Sequence, residues 1–391
     1  MPQTATSKDQ QNKVFFYSTN QKSFANNFNQ YNNTNESIGF QIIKDFNNIS
    51  YKAAINSNNE KKLIFDHSYI EYKNKNRTIG IGKIERNWSF SPNTSLILSS
   101  NARPSDSIYF QLRNQNKSNN PFLSWAGPWS LEAFNSFINN SVGINNSMLL
   151  GLRAVIEPIH DLKFEILKTS QWGGDEQSES ISSLAAAIGG NTNEKEYSNI
   201  NQMAGYGFSF RKNIKETSSR FYGQLIGEDE AGNLPSCYMV LIGNELEFPN
   251  SKIFSKLGIE FVDTRIDKTS NYNCGPNTAY NNGIYSYTNY NKTLGAPIDT
   301  ESKSIHIWAA TNISETTMVN YSVKNMTLNN SSWIDHRLNS SKKKGWIASI
   351  GSSWKLDSFN IKSNLAYQNF SLDKTNYNNG LSLGFNIEYI F

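Results

Sequence analysis

The residues of this chain best suited to chemistry are carboxylates and tyrosines gathered in a few short segments. Glu228, Asp229 and Glu230 are consecutive, Asp175 and Glu176 follow Trp172-Gly173-Gly174, and Tyr280, Tyr285, Tyr287 and Tyr290 lie among Asn281, Asn282 and Asn289. Carboxylates and amides beside aromatic rings suit sugars, because the polar groups bond hydroxyls while the rings stack on C–H faces. Paired carboxylates also serve glycoside hydrolases, which need the two groups about 5–9.5 Å apart; nothing in this spacing selects that chemistry. His67, His160, His306 and His336 stand in no Ser/His motif of an esterase. The chain is therefore expected not to be an enzyme.

A structural role competes with ligand binding for each of these residues. Charges inside a narrow fold need partners, so the acidic residues, with Glu260 and Asp263, are expected to pair with Arg103, Arg153 or Arg265 in a network that holds loops in place. Trp172, next to two glycines that permit close backbone approach, can wedge a loop shut or stack on a ligand. Cys237 and Cys274 can pair in an oxidising compartment, but they belong to no Cys-x-x-Cys or His/Cys cluster, so no metal or cofactor is expected.

The elements that must carry these residues are strands. The last eleven residues, Leu381 to Phe391, alternate apolar with small or polar side chains and end on an aromatic. That alternation gives one face lipid and the other a wet interior. Hydrocarbon does not accept an unpaired strand edge, so one such strand implies a sheet closed on itself.

Composition agrees. The 391 residues are 37% hydrophobic and only 18% charged, against about 25% in a typical soluble domain. Aromatics reach 13%, mean hydropathy is −0.56, and no apolar run approaches the roughly 18 residues of a spanning helix. A net charge of +4 without a basic domain gives no support to a nucleic-acid partner. The run Lys342-Lys343-Lys344 reads as a solvated loop, with a contact to anionic lipopolysaccharide or acidic polysaccharide as the alternative. Met1 to Lys13 is polar and lacks the apolar core of a signal peptide, which reads as a mature form; residues 1–13 are expected to be a disordered lead and 14–391 the barrel.

A period of two yields about eighteen strands, an even number as such barrels require. They are expected at 14–19, 38–45, 48–56, 62–73, 77–84, 107–114, 129–139, 147–157, 161–170, 202–212, 218–227, 237–248, 252–263, 302–312, 317–326, 345–354, 359–370 and 379–391. The fold class is all-β, a transmembrane antiparallel barrel. Connections alternate: short at 47–48, 74–76, 158–160, 249–251 and 355–358, long at 20–37, 85–106, 171–201, 264–301 and 327–344, with 115–128 an exception on the short side. The long ones are expected to face outward. Residues 178–190 are expected to insert a short helix ending at Gly189.

Several segments depart from the alternating pattern: Trp88 to Pro104, Pro121 to Trp129, Gln171 to Glu176, Asn201 to Gly205, Gly223 to Ser236 and Glu260 to Arg265. Together, in this order from about residue 80 to about 310, they resemble the capsule assembly protein Wzi family of Gram-negative outer membranes. The resemblance implies an eighteen-stranded barrel with a loop-restricted mouth, acting as a surface lectin that binds capsular polysaccharide. There are departures: Trp88-Ser89-Phe90-Ser91-Pro92 where the family has Trp-Gly-Pro-Gly, Gln177-Ser178 in place of Arg-Pro, Ala296 in place of His, and only a polar lead where the family carries helices. The expected ligand residues are thus Trp172, Asp175, Glu176, Glu228, Asp229, Glu230, Tyr280, Tyr285, Tyr287 and Tyr290. The expected partners are surface polysaccharide and outer-membrane lipid, with the chain a monomer. A diffusion channel is the alternative.

Overall fold

The computed structural model describes residues 11–24, 35–58, 62–116, 120, 124–140, 143–190, 199–231, 234–249, 253–268 and 274–391, without the side chains of 229–231 and 234. Within them the alternating segments become β1 Lys13–Thr19, β2 Glu36–Phe46, β3 Ile49–Asn58, β4 Leu63–Ile64, β5 Tyr69–Lys73, β6 Arg77–Lys83, β7 Asp106–Asn114, β8 Trp129–Phe137, β9 Met148–Ile159 and β10 Leu162–Trp172. After helix α1, Ile181–Gly189, come β11 Asn201–Ile214, β12 Thr217–Ala231, β13 Leu234–Glu247 and β14 Lys256–Asp263. A small hairpin, β15 Thr288–Asn289 and β16 Lys292–Thr293, precedes β17 Lys303–Asn312, β18 Thr317–Leu328, β19 Lys343–Leu356, β20 Phe359–Gln368 and β21 Gly380–Ile390.

Each strand pairs antiparallel with its sequence neighbour, and β1 pairs with β21 from Lys13↔Ile390 to Thr19↔Gly384, which closes the sheet. Because β4 and β5 both lie against β3, the described residues form a barrel of eighteen staves, the fold expected. The expected strand 62–73 is interrupted at Phe65–Ser68, where His67 adopts φ 70° and its N–H donates to the Lys83 carbonyl at 2.9 Å. β12 and β13 extend further than expected, so Glu228, Asp229 and Glu230 lie on β12 rather than at a strand-to-loop junction.

Tight hairpins mark one end. Asn47, Asp161, Lys215 and Asp357 hold φ of 53°, 68°, 55° and 45°, the left-handed conformation that two-residue turns require and that Asn and Asp accept most readily. Pro158, expected to open a turn, falls inside β9, where a register irregularity relieves the need for its missing N–H. The 115–128 connection is long at this same end, with a 3-10 turn at Ser124–Ala126.

The barrel exterior is apolar. Ile259, Ile307 and Val323 are cross-strand neighbours facing outward at mid-height, and the expected outward residues of the last strand, Leu383, Phe385, Ile387 and Tyr389, do so as well. Exposed aromatics gather at strand ends: Phe46, Tyr72, Phe359 and Tyr389 at the tight-turn end, Phe137, Tyr238, Trp346 and Tyr367 at the other. Such girdles match the two interfaces of a bilayer. Inward positions are polar across the closing seam, where Lys13 binds Glu388 at 3.0 Å and Asn386 is buried beside it.

The helix begins at Ser180, whose hydroxyl accepts the Ser183 N–H at 3.1 Å, and stops at Gly190, φ 85°, whose N–H caps Ala186. It runs as expected from the sequence.

Arginine at Ile307 would put a charge on the lipid face at mid-height. Ile307→Arg should destabilise the barrel by about 2–4 kcal/mol, read by denaturant unfolding in lipid vesicles, while Ile307→Leu should leave the midpoint nearly unchanged.

Candidate functional site

The interior changes character along its length. On β12 the inward series is Arg220, Tyr222, Gln224, Ile226 and Glu228; on β13 it is Glu247, Glu245, Gly243, Leu241 and Met239. Apart from Glu228, which accepts the Tyr280 N–H, charges on these two strands sit toward the tight turns and apolar side chains toward the long connections. Into this apolar end fold residues 84–105, between β6 and β7, and residues 277–298, between β14 and β17. Trp88, Leu96, Ile97 and Leu98 pack there against Met203, Ile226, Met239 and Leu241. The lumen, expected to be restricted by loops, is thus partly filled by a dry plug that two of them form.

Polar side chains from the wall hold the plug by its backbone. Gln224 accepts the Leu96 N–H at 2.8 Å and donates to the Trp88 carbonyl at 2.7 Å. Arg220 donates to the Phe90 carbonyl at 2.7 Å, and Glu260 accepts from the Ser91 hydroxyl and from Tyr222 at 3.0 Å. Each bond satisfies a buried backbone or hydroxyl group that would otherwise cost about 1–3 kcal/mol.

The tyrosines expected to stack on a ligand mostly do this work instead. Tyr280, Tyr285 and Tyr287 are 0–2% exposed. Tyr280 donates to the Leu96 carbonyl at 2.7 Å and accepts the Ala296 N–H; Tyr287 donates to the Ile97 carbonyl at 2.9 Å, and Tyr285 to that of Gly173 at 2.9 Å. Alternation in a loop does not say which rings turn inward, and hydroxyls that can reach carbonyls favour burial. Tyr290 differs: it is half-buried at a cavity wall, with the Arg103 guanidinium 4.0 Å from its ring centroid.

Trp172 is buried against Met148, Leu150 and Ala187 of α1, and its indole donates to Asn135 at 3.1 Å. It wedges the helix onto the barrel rim, and Gly173 and Gly174 at φ 62° and 95° turn the chain beneath it. Asp175 and Glu176 are exposed; Asp175 accepts the Asn146 amide at 2.9 Å. Glu228 accepts the Tyr280 N–H at 3.0 Å, while the side chains of Asp229 and Glu230 lie outside the described residues.

The ion-pair network exists with other partners than expected. Arg103 grips Asp66 at 2.8 and 3.0 Å, Arg153 binds Glu165 at 2.6 Å, and only Arg265 pairs with an expected acid, Asp263. Asp66, Glu165, Gln224 and the pair Asp299–Arg337 were invisible to motif reading, because strand neighbours are set by register rather than by sequence distance. Burial alone would raise the Asp299 carboxyl, but the Arg337 guanidinium outweighs it and holds the group below the usual range. Cys237 and Cys274 are bonded, tying β13 to the 264–302 connection. Among the described residues no cluster is arranged to hold a metal ion.

Beside the plug lies a cavity of 2420 Å³. Its wall includes Lys75 and Arg77 near the tight turns, and Lys22, Tyr290, Asn291, Lys292, Trp333 and Lys374 among the long connections. Burial and the nearby Lys22 charge push the Lys292 ammonium down to about 8.

The model of the capsule assembly protein Wzi family matches residues 7–382. The chain belongs to that family. This Wzi family member is 30% identical over 194 residues to an uncharacterized 55.8 kDa protein in the cps region of Klebsiella pneumoniae, which covers 49% of this chain and 38% of that protein. The match thus spans less than half the length of that curated relative. The fold is similar to that of Wzi, an outer-membrane protein involved in group 1 capsule assembly in Escherichia coli and a carbohydrate-binding β-barrel. The TM-score is 0.83 at 22% identity, covering 98% of this chain and 85% of that one. A weaker likeness, of fold alone, extends to OccAB2 of Acinetobacter baumannii, with TM-score 0.55 and 10% identity over 97% and 98% of the two chains. OprD of Pseudomonas aeruginosa gives 0.53 and 8% over 98% and 94%.

Two outcomes follow for the plug. Gln224→Leu leaves the Leu96 N–H and Trp88 carbonyl unpaired, so amide exchange across residues 88–98 should accelerate at least tenfold, corresponding to a local loss of about 1–3 kcal/mol, while the strands stay protected. The depressed Asp299 group stabilises above its unfolded value of 3.8 and loses that contribution as pH falls through the folded value. Exchange around Asp299 should therefore be insensitive to protonation of this group between about pH 5 and 8 and rise only in stronger acid.

Proposed function

We propose that this chain is a monomeric outer-membrane lectin whose long connections face the cell exterior and hold capsular or related surface polysaccharide there. The observation that carries the reading is the plugged barrel: loops fixed by Gln224, Glu260 and Tyr280 fill the apolar end of the lumen and leave a mouth of amides, rings and cations beside them. Polar groups that fix orientation, set beside aromatic surface, are the usual make-up of a sugar site. Family membership supports the same reading, as does the carbohydrate binding of the E. coli protein of similar fold. The carboxylates Glu260, Glu165 and Asp66 are engaged by hydroxyl or guanidinium groups that serve packing, which favours binding over catalysis.

One observation favours diffusion instead: a single cavity is lined by residues from both ends of the barrel, Lys374 and Asn376 at one and Lys75 and Arg77 at the other. Planar-bilayer recording separates the two readings. A lectin with a fixed plug should give no steady conductance steps; stable open pores would favour transport. Purified protein should bind the surface polysaccharide of its own strain, and deletion should shed that polysaccharide into the medium. Absence of binding together with full retention after deletion would reject the lectin.

A further inference from the structure

Two hydrophobic clusters stand back to back in the wall at β9 and β10. Leu149 and Leu167 belong to the core around the plug, whereas Met148, Leu150 and Trp172 belong to a second cluster with Ala187 of α1. Successive side chains of a strand point to opposite faces, and the polar residues of β10 divide in the same way. Inside the lumen Thr169 bonds Tyr287 at 2.8 Å and Gln171 donates to the Ser286 carbonyl at 2.9 Å. On the other face Ser170 donates to the Ala187 carbonyl at 2.8 Å, and Trp172 packs on the helix. Helix α1 therefore lies against the outside of the cylinder, on the face that exposes Phe164 and Ile166 nearer the tight turns.

Its level on the wall is that of the aromatic girdle. Phe137, one of the exposed rings at the long-connection end, is the cross-strand neighbour of Met148, which in turn is the neighbour of Trp172. α1 covers Met148 and Trp172 and leaves Phe137 bare. Ile166 is exposed on β10, and the next outward residue, Lys168, donates to the Ile188 carbonyl at 3.1 Å. The C-terminal end of α1 thus meets the edge of the lipid face.

The helix has the surface of a buried one. Ser183, Ala186 and Ala187 are buried, but Ile181, Ala185 and Ile188 form a second stripe at helical spacing, with Ile181 88% and Ile188 48% exposed. A helix that is apolar all round belongs in apolar surroundings. α1 carries no charged residue that would have to be desolvated. Its last carbonyls, which would be costly to leave open beside hydrocarbon, are taken. Ala186 accepts the Gly190 N–H at 2.9 Å, Ala187 accepts from Ser170, and Ile188 accepts from Lys168.

We propose that α1 is an interfacial helix, set on the outer wall with Ile181, Ala185 and Ile188 turned into the lipid of the outer leaflet. It continues the girdle across β9 and β10 and anchors residues 173–190, the start of the β10–β11 connection, at the membrane surface. Trp172 is then the seat of a lipid anchor rather than a platform for sugar.

The test uses the full-length protein in lipid vesicles, spin-labelled at one introduced cysteine at a time; Cys237 and Cys274 are bonded to each other and do not react. Ala185→Cys and Ile188→Cys are compared with Ile307→Cys on the lipid face and with Gly283→Cys in the β14–β17 connection, where an added Cβ meets nothing within 4 Å. Labels at 185 and 188 should collide with oxygen, which dissolves in acyl chains, more than with a water-soluble nickel chelate, at a depth of about 5–10 Å into the boundary of headgroups and chains. The label at 307 should behave likewise, and the label at 283 should show the reverse preference. Heat-modifiable migration on gels verifies that each variant is folded. Nickel access at 185 and 188 equal to that at 283 would overturn the proposal by putting the stripe in water. Exclusion of both reagents would overturn it by putting a protein segment over the stripe, and spin–spin broadening between molecules would do so by putting a second copy there. None of these results bears on polysaccharide binding, so the lectin reading stands or falls separately.

Discussion

Closure of the sheet is the constraint on which everything else depends. In hydrocarbon an unpaired backbone N–H or carbonyl costs several kcal/mol, so a lipid-facing sheet cannot end in an open edge. The pairing of β1 with β21 meets this condition, and Lys13 with Glu388 ties the seam from inside. Once the sheet is closed, the two faces of every strand acquire fixed meanings. Ile307 must be outside because His306 and Lys324 are inside, and a one-residue slip would exchange them.

The closed cylinder then poses a second problem, because eighteen staves enclose more space than their own side chains fill. The chain fills part of it with its connections. Residues 88–98 carry enough apolar surface in Leu96, Ile97 and Leu98 to form a core with the inner wall, and Gln224 of the wall together with Tyr280 of the second inserted connection absorb the backbone groups that accompany them. Rigidity at the plug gives the mouth its geometry. Tyr290 holds a strained turn because its N–H is taken by the Asn139 carbonyl and its ring is covered by Arg103, which Asp66 grips in turn.

The alternating strands were legible to within a few residues, since a period of two is a local property of the chain and each strand carries it independently. The helix at 181–189 was legible from another local signal, the helix-favouring run Leu184 to Ile188 followed by glycine; its N-cap, Ser180, is given by the structure. The site was read less well. The tyrosines of the late loop were singled out for their composition, yet Tyr280, Tyr285 and Tyr287 turn into the plug and only Tyr290 reaches the cavity. Lys22, Lys292 and Lys374 carry no motif and lie up to 352 positions apart.

What the amino-acid sequence determined by itself is the strand pattern, the side of the sheet each residue occupies, and the unusual loop peptides that mark the family. Those depend on neighbours one or two positions away. Only the tertiary structure decided which loops enter the lumen, which arginine meets which carboxylate, and which lysines share a wall. Those pairings are set by barrel closure and register, which bring together residues that have no relation along the chain until the last strand meets the first.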